Sequence, residues 1–519
     1  MNADKSFLDR RASAFIGGLI SLALAVLSYF WFPGHTWLQQ DSQIYAAILE
    51  HQREPAVLRN DPVAEEPHTA YTLYDETAVA LSRATGLDFH PVLAGEQIAA
   101  RALGIWGLYL LAAAAGLTAG PAWLVAMAAA LGAFIKGPEV LTFEYEPTPR
   151  ALAVPLVMLA IGLAAHGRGM AAALAGACAL LFHPPAALPF WAVFAVMNGR
   201  RWIRLLPLVC AIAVLMLAGG GAHQAFFGRL APLDQQLMRM RTAYVWISLW
   251  PARFVWHYAV VAAILAAAWM RVRGNGLLMG LAAIGLLSMP VSWLLLDEWN
   301  WRLMPQLQPM RWLLFTSLAM VVLAGIAGAK AAQPLEAFAW FTAAFLLPLQ
   351  PVLTQSFTFR HWAVALGLAA LATVTVRLGA APVAGLAAFL AVPLLGGVVN
   401  YPRLHTPELA RLSEWARAAT PRDAVFLFPE AAHSLEPGIF RAQARRAVYV
   451  DWKSGGQMVY LPDFGTRWWF RWEQTMTGGM RTADLAKYEA LGIRYAVVKR
   501  GDEYVVYDTH TGTPALQSR

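Results

Sequence analysis

MAAALAGACALLFHPPAALPFWAVFAVMNGRR, residues 170–201, decides how this chain is threaded. Two short apolar runs, 170–182 and 185–197, flank His183-Pro184-Pro185. A helix stops before a proline because the ring removes an N–H donor and crowds the preceding residue. Read as two spans, the stretch returns the chain to the side it came from and leaves Arg200-Arg201 on the side where the chain begins. Read as one kinked span, it inverts everything downstream. The two-span reading keeps basic clusters together, so it is adopted.

Outward from that point, residues near 14–32, 98–117, 121–135, 151–165, 203–218, 254–270, 277–296, 311–328, 335–353, 361–376 and 382–399 form runs long and apolar enough to read as transmembrane helices. The composition agrees. Of 519 residues, 58% are hydrophobic and only 14% charged, against about 25% charged in soluble domains. The run 14–32 is too long for a cleaved leader and reads as a first span that stays. The fold class is therefore an α-helical polytopic membrane protein of about thirteen spans. Residues 1–400 form the membrane domain, with a long first loop at 33–97.

Assigning loops alternately to the two sides places only Asp4, Asp9 and Glu336 of the 32 carboxylates on the side of the N-terminus. Arg10-Arg11, Arg200-Arg201 and Arg271-x-Arg273 share that side, which is therefore read as cytoplasmic. The opposite face carries the acidic loops and residues 401–519. There, Thr406-Pro407 starts a helix, and Ala424–Phe428 and Ala447–Val450 read as strands. Thr482–Leu491 reads as a helix, and Ile493–Val498 with Tyr504–Tyr507 as a hairpin around Arg500-Gly501-Asp502. The tail is thus a small extracytoplasmic α/β domain, with 509–519 expected to fray. Within the first loop, Asp41–Glu50 suggests a helix lying on the membrane surface, Tyr71–Thr85 another, and Asn60-Asp61-Pro62 a turn between them.

The net charge of +8 suits anionic lipid and phosphate-bearing substrates rather than nucleic acid. Cys178 and Cys210 lie in apolar runs as packing residues, and no zinc spacing, Walker motif, dinucleotide loop or serine elbow occurs.

Candidate chemistry gathers at the outer span mouths. Asp41, with Tyr45 one turn later, is either the N-cap of the loop helix or a general base above the membrane. Asp61 is a turn former or a ligand. Glu144 and Glu146 alternate in an extended segment ahead of Arg150, and the three could grip a phosphate, with Arg150 supplying a two-pronged contact. Asp41, Glu144 and Glu146 are the set that could hold a divalent metal, Mg or Mn. Arg302, Arg311, Arg360 and His361 are further phosphate ligands or snorkelling residues. Trp468, Trp469, Phe470 and Trp472 suit a membrane interface or a sugar platform.

Gln40-Asp41-Ser42-Gln43-Ile44-Tyr45, Asn60-Asp61-Pro62, Trp415–Pro421, Phe440-Arg441 and Val448–Lys453 resemble stretches of bacterial GT-C-like membrane glycosyltransferases. The layout of many spans, an early acidic loop and an outer α/β tail is similar too. The resemblance implies a catalytic carboxylate at Asp41, a polyprenyl-phosphate-linked sugar donor drawn from the bilayer, and a glycan or lipid acceptor at the outer face of a bacterial inner membrane. Two departures stand out. Asp41 is followed by Ser42 where many members have a second acid, and the Trp-Trp-Asp motif of oligosaccharyltransferases is absent. A lipid-linked glycan transporter or flippase and a non-catalytic scaffold are the alternatives. An enzyme requires Asp41 to meet Glu144 or Arg302 in a polar pocket.

Overall fold

The computed structural model describes residues 2–31, 33–219, 227–349, 358–395, 404–476, 479–481 and 483–517. The chain enters as α1 (Asn2–Phe30), crosses the first loop as α2 (Ser42–Arg53), α3 (Pro62–Glu65) and α4 (Tyr74–Thr85), and returns as α5 (Phe89–Ala114) and α6 (Ala119–Ala130). A two-residue hairpin, β1 (Phe134–Ile135) and β2 (Val140–Leu141), precedes α7 (Pro149–Ala165), α8 (Gly169–Phe182), α9 (Pro184–Asn198) and α10 (Leu206–Ala218). There follow α11 (Pro232–Arg241), α12 (Ala252–Val272), α13 (Gly276–Ser292), α14 (Met304–Leu307), α15 (Leu313–Lys330), α16 (Pro334–Leu346), α17 (Phe359–Arg377) and α18 (Pro382–Ala391).

Among the described residues, six helical stretches are long and apolar enough to cross a membrane, and six shorter apolar helices accompany them. The protein is a multi-pass membrane protein. The ends of the spans expected at 335–353 and 382–399 lie outside the described residues. The helix α5 begins at Phe89, ahead of the apolar run that starts near 98. Glu96 and Gln97 end the apolar run but not the helix, whose first turns stand above the apolar layer. The span expected at 121–135 ends as a helix at Ala130, and Phe134 and Ile135 turn into β1.

The threading at 170–201 is that of two spans. His183 Nδ1 accepts from Ala186 N across the turn, and Leu73 N of the first loop bonds to Leu181 O. The α8–α9 turn therefore sits at the end of the bundle that carries the first loop. Gly219, just after α10, packs against the Tyr71 ring at that same end. The basic segment 199–205 between them lies at the opposite end, where Arg204 bonds to Asn198 and packs on Gly169. Helical geometry runs from Pro184 to Ala218 almost without a break. The reversal is made at Arg201, whose backbone (φ −112°, ψ 57°) is not helical. At the same end Arg271 pairs with Glu336 at 2.7 Å.

Side-chain size sets the packing. α5 and α7 touch backbone to backbone because Gly107 meets Met158 and Leu159, and Gly162 meets Gly107. Small residues permit such approach where lipid gives helices no hydrophobic reason to associate. α15 is apolar on every side and buried throughout its Leu313–Gly328 portion, which makes it the central helix. Val196, Leu217, Trp256 and Met270 are exposed on outer helices, as expected of surfaces solvated by lipid. Cys178 and Cys210 are also exposed and free, rather than buried packing residues.

Residues 404–517 fold as a mixed layer: α19 (Pro407–Ala419), β3 (Val425–Leu427), α20 (Glu436–Ala444), β4 (Ala447–Val448), α21 (Pro462–Thr475), α22 (Asp484–Ala490), β5 (Tyr495–Arg500), β6 (Glu503–Asp508) and β7 (Pro514–Gln517). The sheet order is β4-β3-β5-β6-β7, parallel between β4, β3 and β5 and antiparallel through the β5–β6 hairpin and β7. Thr406 caps α19 through Leu409 N, as its position ahead of Pro407 foretold. The tail is not frayed through 509–517, because β7 adds to the edge of β6. The boundary drawn at residue 400 falls outside the described residues.

Loop and tail are locked together. Arg441 of α20 is buried between Asp61, at 2.7 Å, and Asp451. Asp61 also accepts from Val448 N and caps α3 through Val63 N. Arg59 pairs with Asp423 at 2.7 Å, and Arg445 with Glu50 at 3.0 Å. α2 does not lie on a membrane surface. It is buried along most of its length, packed against α20, α3 and α4. Contacts this extensive put the first loop and the tail on the same side of the membrane.

Candidate functional site

A cavity of about 500 Å³ opens where the first loop, the loop end of the helix bundle and the tail meet. Its wall includes Asp41, Tyr45, His68, Glu139, Glu144, Glu146, Arg150, Arg241, Gln308, Arg311, Lys453, Gln457 and Tyr460.

Asp41 precedes α2 but does not cap it. Its backbone is helical and its side chain makes no bond to the helix N-terminus. Glu146 does that work instead. Its carboxylate accepts from the backbone N–H groups of Gln39, Gln40 and Ser42 at 2.7–3.0 Å, and from Ser42 Oγ at 2.9 Å. A negative group at a helix N-terminus answers unpaired donors and the helix dipole together. Burial and the nearby Asp41 charge push the Glu146 pKa up, while the N–H groups it accepts from pull it down.

The Asp41 side chain is thereby released to the cavity. It is 44% exposed and sits 2.7 Å from Lys453 Nζ of the tail. Burial alone would raise its pKa. Lys453 beside it, with Arg150 and Arg311 farther off, holds the carboxyl well below the usual carboxylate range. The group is an ionised carboxylate at neutral pH.

Glu144 is tied to Arg150, with Nε donating to Oε1 at 2.7 Å, and accepts from Leu141 N. Its backbone carbonyl is held by Gln97 and by Arg101, which also binds Gly34 O. Arg101 thus clamps the 34 and 144 loops above α5. Two guanidiniums in the wall have no carboxylate at ion-pair distance among the described residues: Arg241 and Arg311. Arg241 lies 4.6 Å over Trp452 and donates to the carbonyls of Trp452 and Lys453. Arg311 lies 5.4 Å from the Tyr244 ring, and its Nε has no partner.

The wall also includes a neutral, aromatic cluster. His68 stacks on Tyr460 at 4.7 Å, donates from Nδ1 to Gln457 Oε1 at 3.1 Å and receives the Tyr45 hydroxyl at Nε2, 3.2 Å away. Burial holds the His68 pKa down and raises those of Tyr45 and Tyr460, so all three are neutral at neutral pH.

Asp41, Tyr45, Glu144, Glu146, Arg150 and Arg311, separated in the sequence, therefore line one cavity. Several expectations need correction. Arg302, Arg360 and His361 are not in the wall; His361 closes the N-terminus of α17 by accepting from Thr358 N. Asp61 is a structural anion neutralised by Arg441, far too occupied to act as a substrate ligand. The expected metal set does not fit. Glu146 is spent on backbone N–H groups and Glu144 on Arg150, which leaves Asp41 alone of the three turned to the cavity, and no three His, Cys, Asp or Glu side chains converge among the described residues.

Arg241, His68 and Tyr460 were not foreseen as site residues. Lys453 belongs to a conspicuous run, Val448–Lys453, but nothing in the sequence ties it to Asp41. Trp468 and Trp472 are not a sugar platform. They pack with Trp452 and His433 into the tail's interior side of the cavity wall.

Fold and site describe a multi-pass membrane protein whose helix bundle supports an α/β layer, with a charged cavity between them. Residues 407–474 match the model of a domain of unknown function, DUF6798. None of the curated proteins compared matches the chain. Among solved structures it is similar to ArnT from Cupriavidus metallidurans, 16% identical, with 96% of this chain and 94% of that one covered and a TM-score of 0.45. It is also similar to the arabinofuranosyltransferase AftD from Mycobacteria, 15% identical, with 94% of this chain covered and a TM-score of 0.42. The chain spans about a third (35%) of the AftD length.

Proposed function

We propose that the protein is a membrane glycosyltransferase that moves a sugar from a polyprenyl-phosphate carrier to an acceptor hydroxyl at the outer face of a bacterial inner membrane. One observation carries the reading: Asp41, freed from capping by Glu146, shares a cavity with Lys453 and with two guanidiniums that have no carboxylate partner among the described residues.

The acceptor oxygen attacks the anomeric carbon, the bond from that carbon to the phosphate oxygen breaks, and the phosphate departs with the electron pair. The acceptor proton passes to Asp41. Arg311 and Arg241 bind the phosphate, whose charge grows as it leaves. Lys453 joins them by leaving Asp41, and the loss of its counter-ion makes the carboxylate a stronger base at the moment one is needed. Glu144 keeps Arg150 in place at the cavity floor. No step runs through a metal. The test is release of decaprenyl phosphate from glycosyl-decaprenyl phosphates in membranes carrying the protein or its Asp41→Asn variant. The reading expects a fall of at least 100-fold in the variant with donor binding retained. Undiminished release by Asp41→Asn removes Asp41 as the base.

A further inference from the structure

Six polar atoms on residues that line the Asp41 cavity are buried and have no hydrogen-bond partner among the described protein groups. They are Gln39 Nε2 and Oε1, Thr148 Oγ1, Gln308 Oε1, Arg311 Nε and Gln457 Nε2. Unpartnered buried polar groups are rare because each costs free energy that an apolar side chain would not. Six of the twenty such side-chain atoms among the described residues belong to residues of this one cavity. Gln39, Gln308 and Gln457 are each at most 2% exposed and come from the first loop, the segment before α15 and the tail.

Gln308 has a left-handed backbone, φ 46° and ψ 59°, which a side chain with a Cβ resists. Gln457 Oε1 is engaged by His68, and turning the amide over would only move the deficit from its nitrogen to its oxygen. Gln39 leaves both ends of its amide unpaired, although its own backbone N–H is anchored by Glu146.

From this we infer that Gln39, Gln308 and Gln457, with Thr148, form the subsite that reads the hydroxyl groups of the transferred sugar, and that this sugar is neutral. The inference rests on the proposed transferase reading and names the substrate class of the same cavity. An amide offers a donor and an acceptor side by side, which matches adjacent hydroxyls. The subsite groups themselves carry no charge, and Arg241, Arg311 and Lys453 are assigned to the phosphate. A site built to bond a hydroxyl discriminates steeply against its absence, because the protein group is then stranded. The unpaired amides of Gln39, Gln308 and Gln457 are groups of that kind.

The test uses the full-length protein in detergent and measures the affinities of decaprenyl phosphate, of decaprenyl phosphates bearing glucose, mannose, galactose or arabinose, and of the glucuronosyl form. Variants are Gln39→Met, Gln308→Met and Gln457→Met, near-isosteric replacements that remove the unpaired amide. At least one neutral glycosyl lipid is expected to bind tenfold or more tightly than bare decaprenyl phosphate. Each variant is expected to lose most of that margin, to bind bare decaprenyl phosphate within twofold of the parent, and to hold or raise Tm. Glycosyl lipids that bind no tighter than bare decaprenyl phosphate, or variants that weaken both lipids alike, overturn the subsite and leave the phosphate site standing. A glucuronosyl lipid that outbinds every neutral one overturns the assignment of a neutral sugar. Failure of the parent to bind any of these lipids overturns the subsite and the transferase reading together.

Discussion

Lys453 Nζ lies 2.7 Å from Asp41 Oδ1, so the candidate base of the first loop is paired with a lysine from the far end of the chain. The pair predicts a pH response. The folded-state pKa of Asp41 lies below its unfolded value of about 3.9. The pair's stabilisation is therefore fully present above that value and is lost as pH falls through the folded pKa. In Lys453→Met the carboxyl loses its main counter-charge. The acidic limb of the kcat/KM profile is expected to move upward, toward ordinary carboxylate values, and a profile that does not shift would show that Asp41 is not the titrating base.

Arg441, with Asp61 and Asp451 on either side, predicts a loss of stability that reaches the site. All three are buried, and Asp451 precedes Trp452 and Lys453. Arg441→Met strands two buried carboxylates, and removing one partner of such a group costs about 3–5 kcal/mol. A lower Tm in detergent is expected, with loss of transfer activity. Combining Arg441→Met with Asp61→Asn and Asp451→Asn should recover part of the Tm, because it removes the stranded charges as well as the bonds. A triple variant no more stable than the single one would show that packing of α20, and not the charges, sets the loss.

Much of this architecture was legible in the sequence because it is written in local terms. The proline pair after His183 stops one helix and starts the next, Thr406-Pro407 is a cap, and Arg500-Gly501-Asp502 turns a hairpin. The cavity was half legible. Glu144, Glu146 and Arg150 crowd a short segment at a span mouth, and that is enough to mark the place. Their roles were not, because Glu146 caps a helix more than 100 residues earlier in the chain and no local pattern announces it. Asp41 illustrates the same limit. Its position ahead of α2 is that of an N-cap, and only the tertiary contact with Glu146 reveals that the cap is supplied from elsewhere. Arg302, Arg360 and His361 share the charge and interface position of Arg311, and it is the turn at Gln308 that brings Arg311 alone to the cavity.

Glu146 is accordingly a positioning residue. In Glu146→Gln one acceptor oxygen becomes an NH₂ facing backbone donors, so the turn at 39–42 must shift and carry Asp41 with it. Misplacement by about 1 Å lowers rates on the order of 100-fold. kcat is expected to fall by that order, with KM within about threefold, since the phosphate ligands are untouched. A rise in KM at constant kcat would mean instead that Glu146 contacts the donor.

Arg311 offers a guanidinium with no carboxylate partner, and hydrogen bonds to charged groups contribute about 1.5–3 kcal/mol each. Arg311→Ala is expected to weaken decaprenyl phosphate binding by about 10- to 100-fold, and Arg311→Lys to recover only part of it, because lysine keeps the charge but not the two-pronged geometry. Equal binding by Arg311→Ala and the parent would move the phosphate to Arg241 and Lys453.

Sidedness is the remaining test. The bonds of Arg59, Asn60 and Asp61 to Asp423 and Arg441 fix loop and tail to one side, and the basic segments at 199–205 and 271–273 lie at the other. Basic residues are retained on the cytoplasmic side, so the proposed reading has the cavity facing outward. Single cysteines placed at Arg59 and Arg422, in a background with Cys178 and Cys210 replaced by alanine, should react with a membrane-impermeant thiol reagent in spheroplasts. Cysteines at Arg201 and Arg271 should react only after permeabilisation. The inverse pattern would place the cavity in the cytosol, where a donor held at the outer leaflet could not reach it.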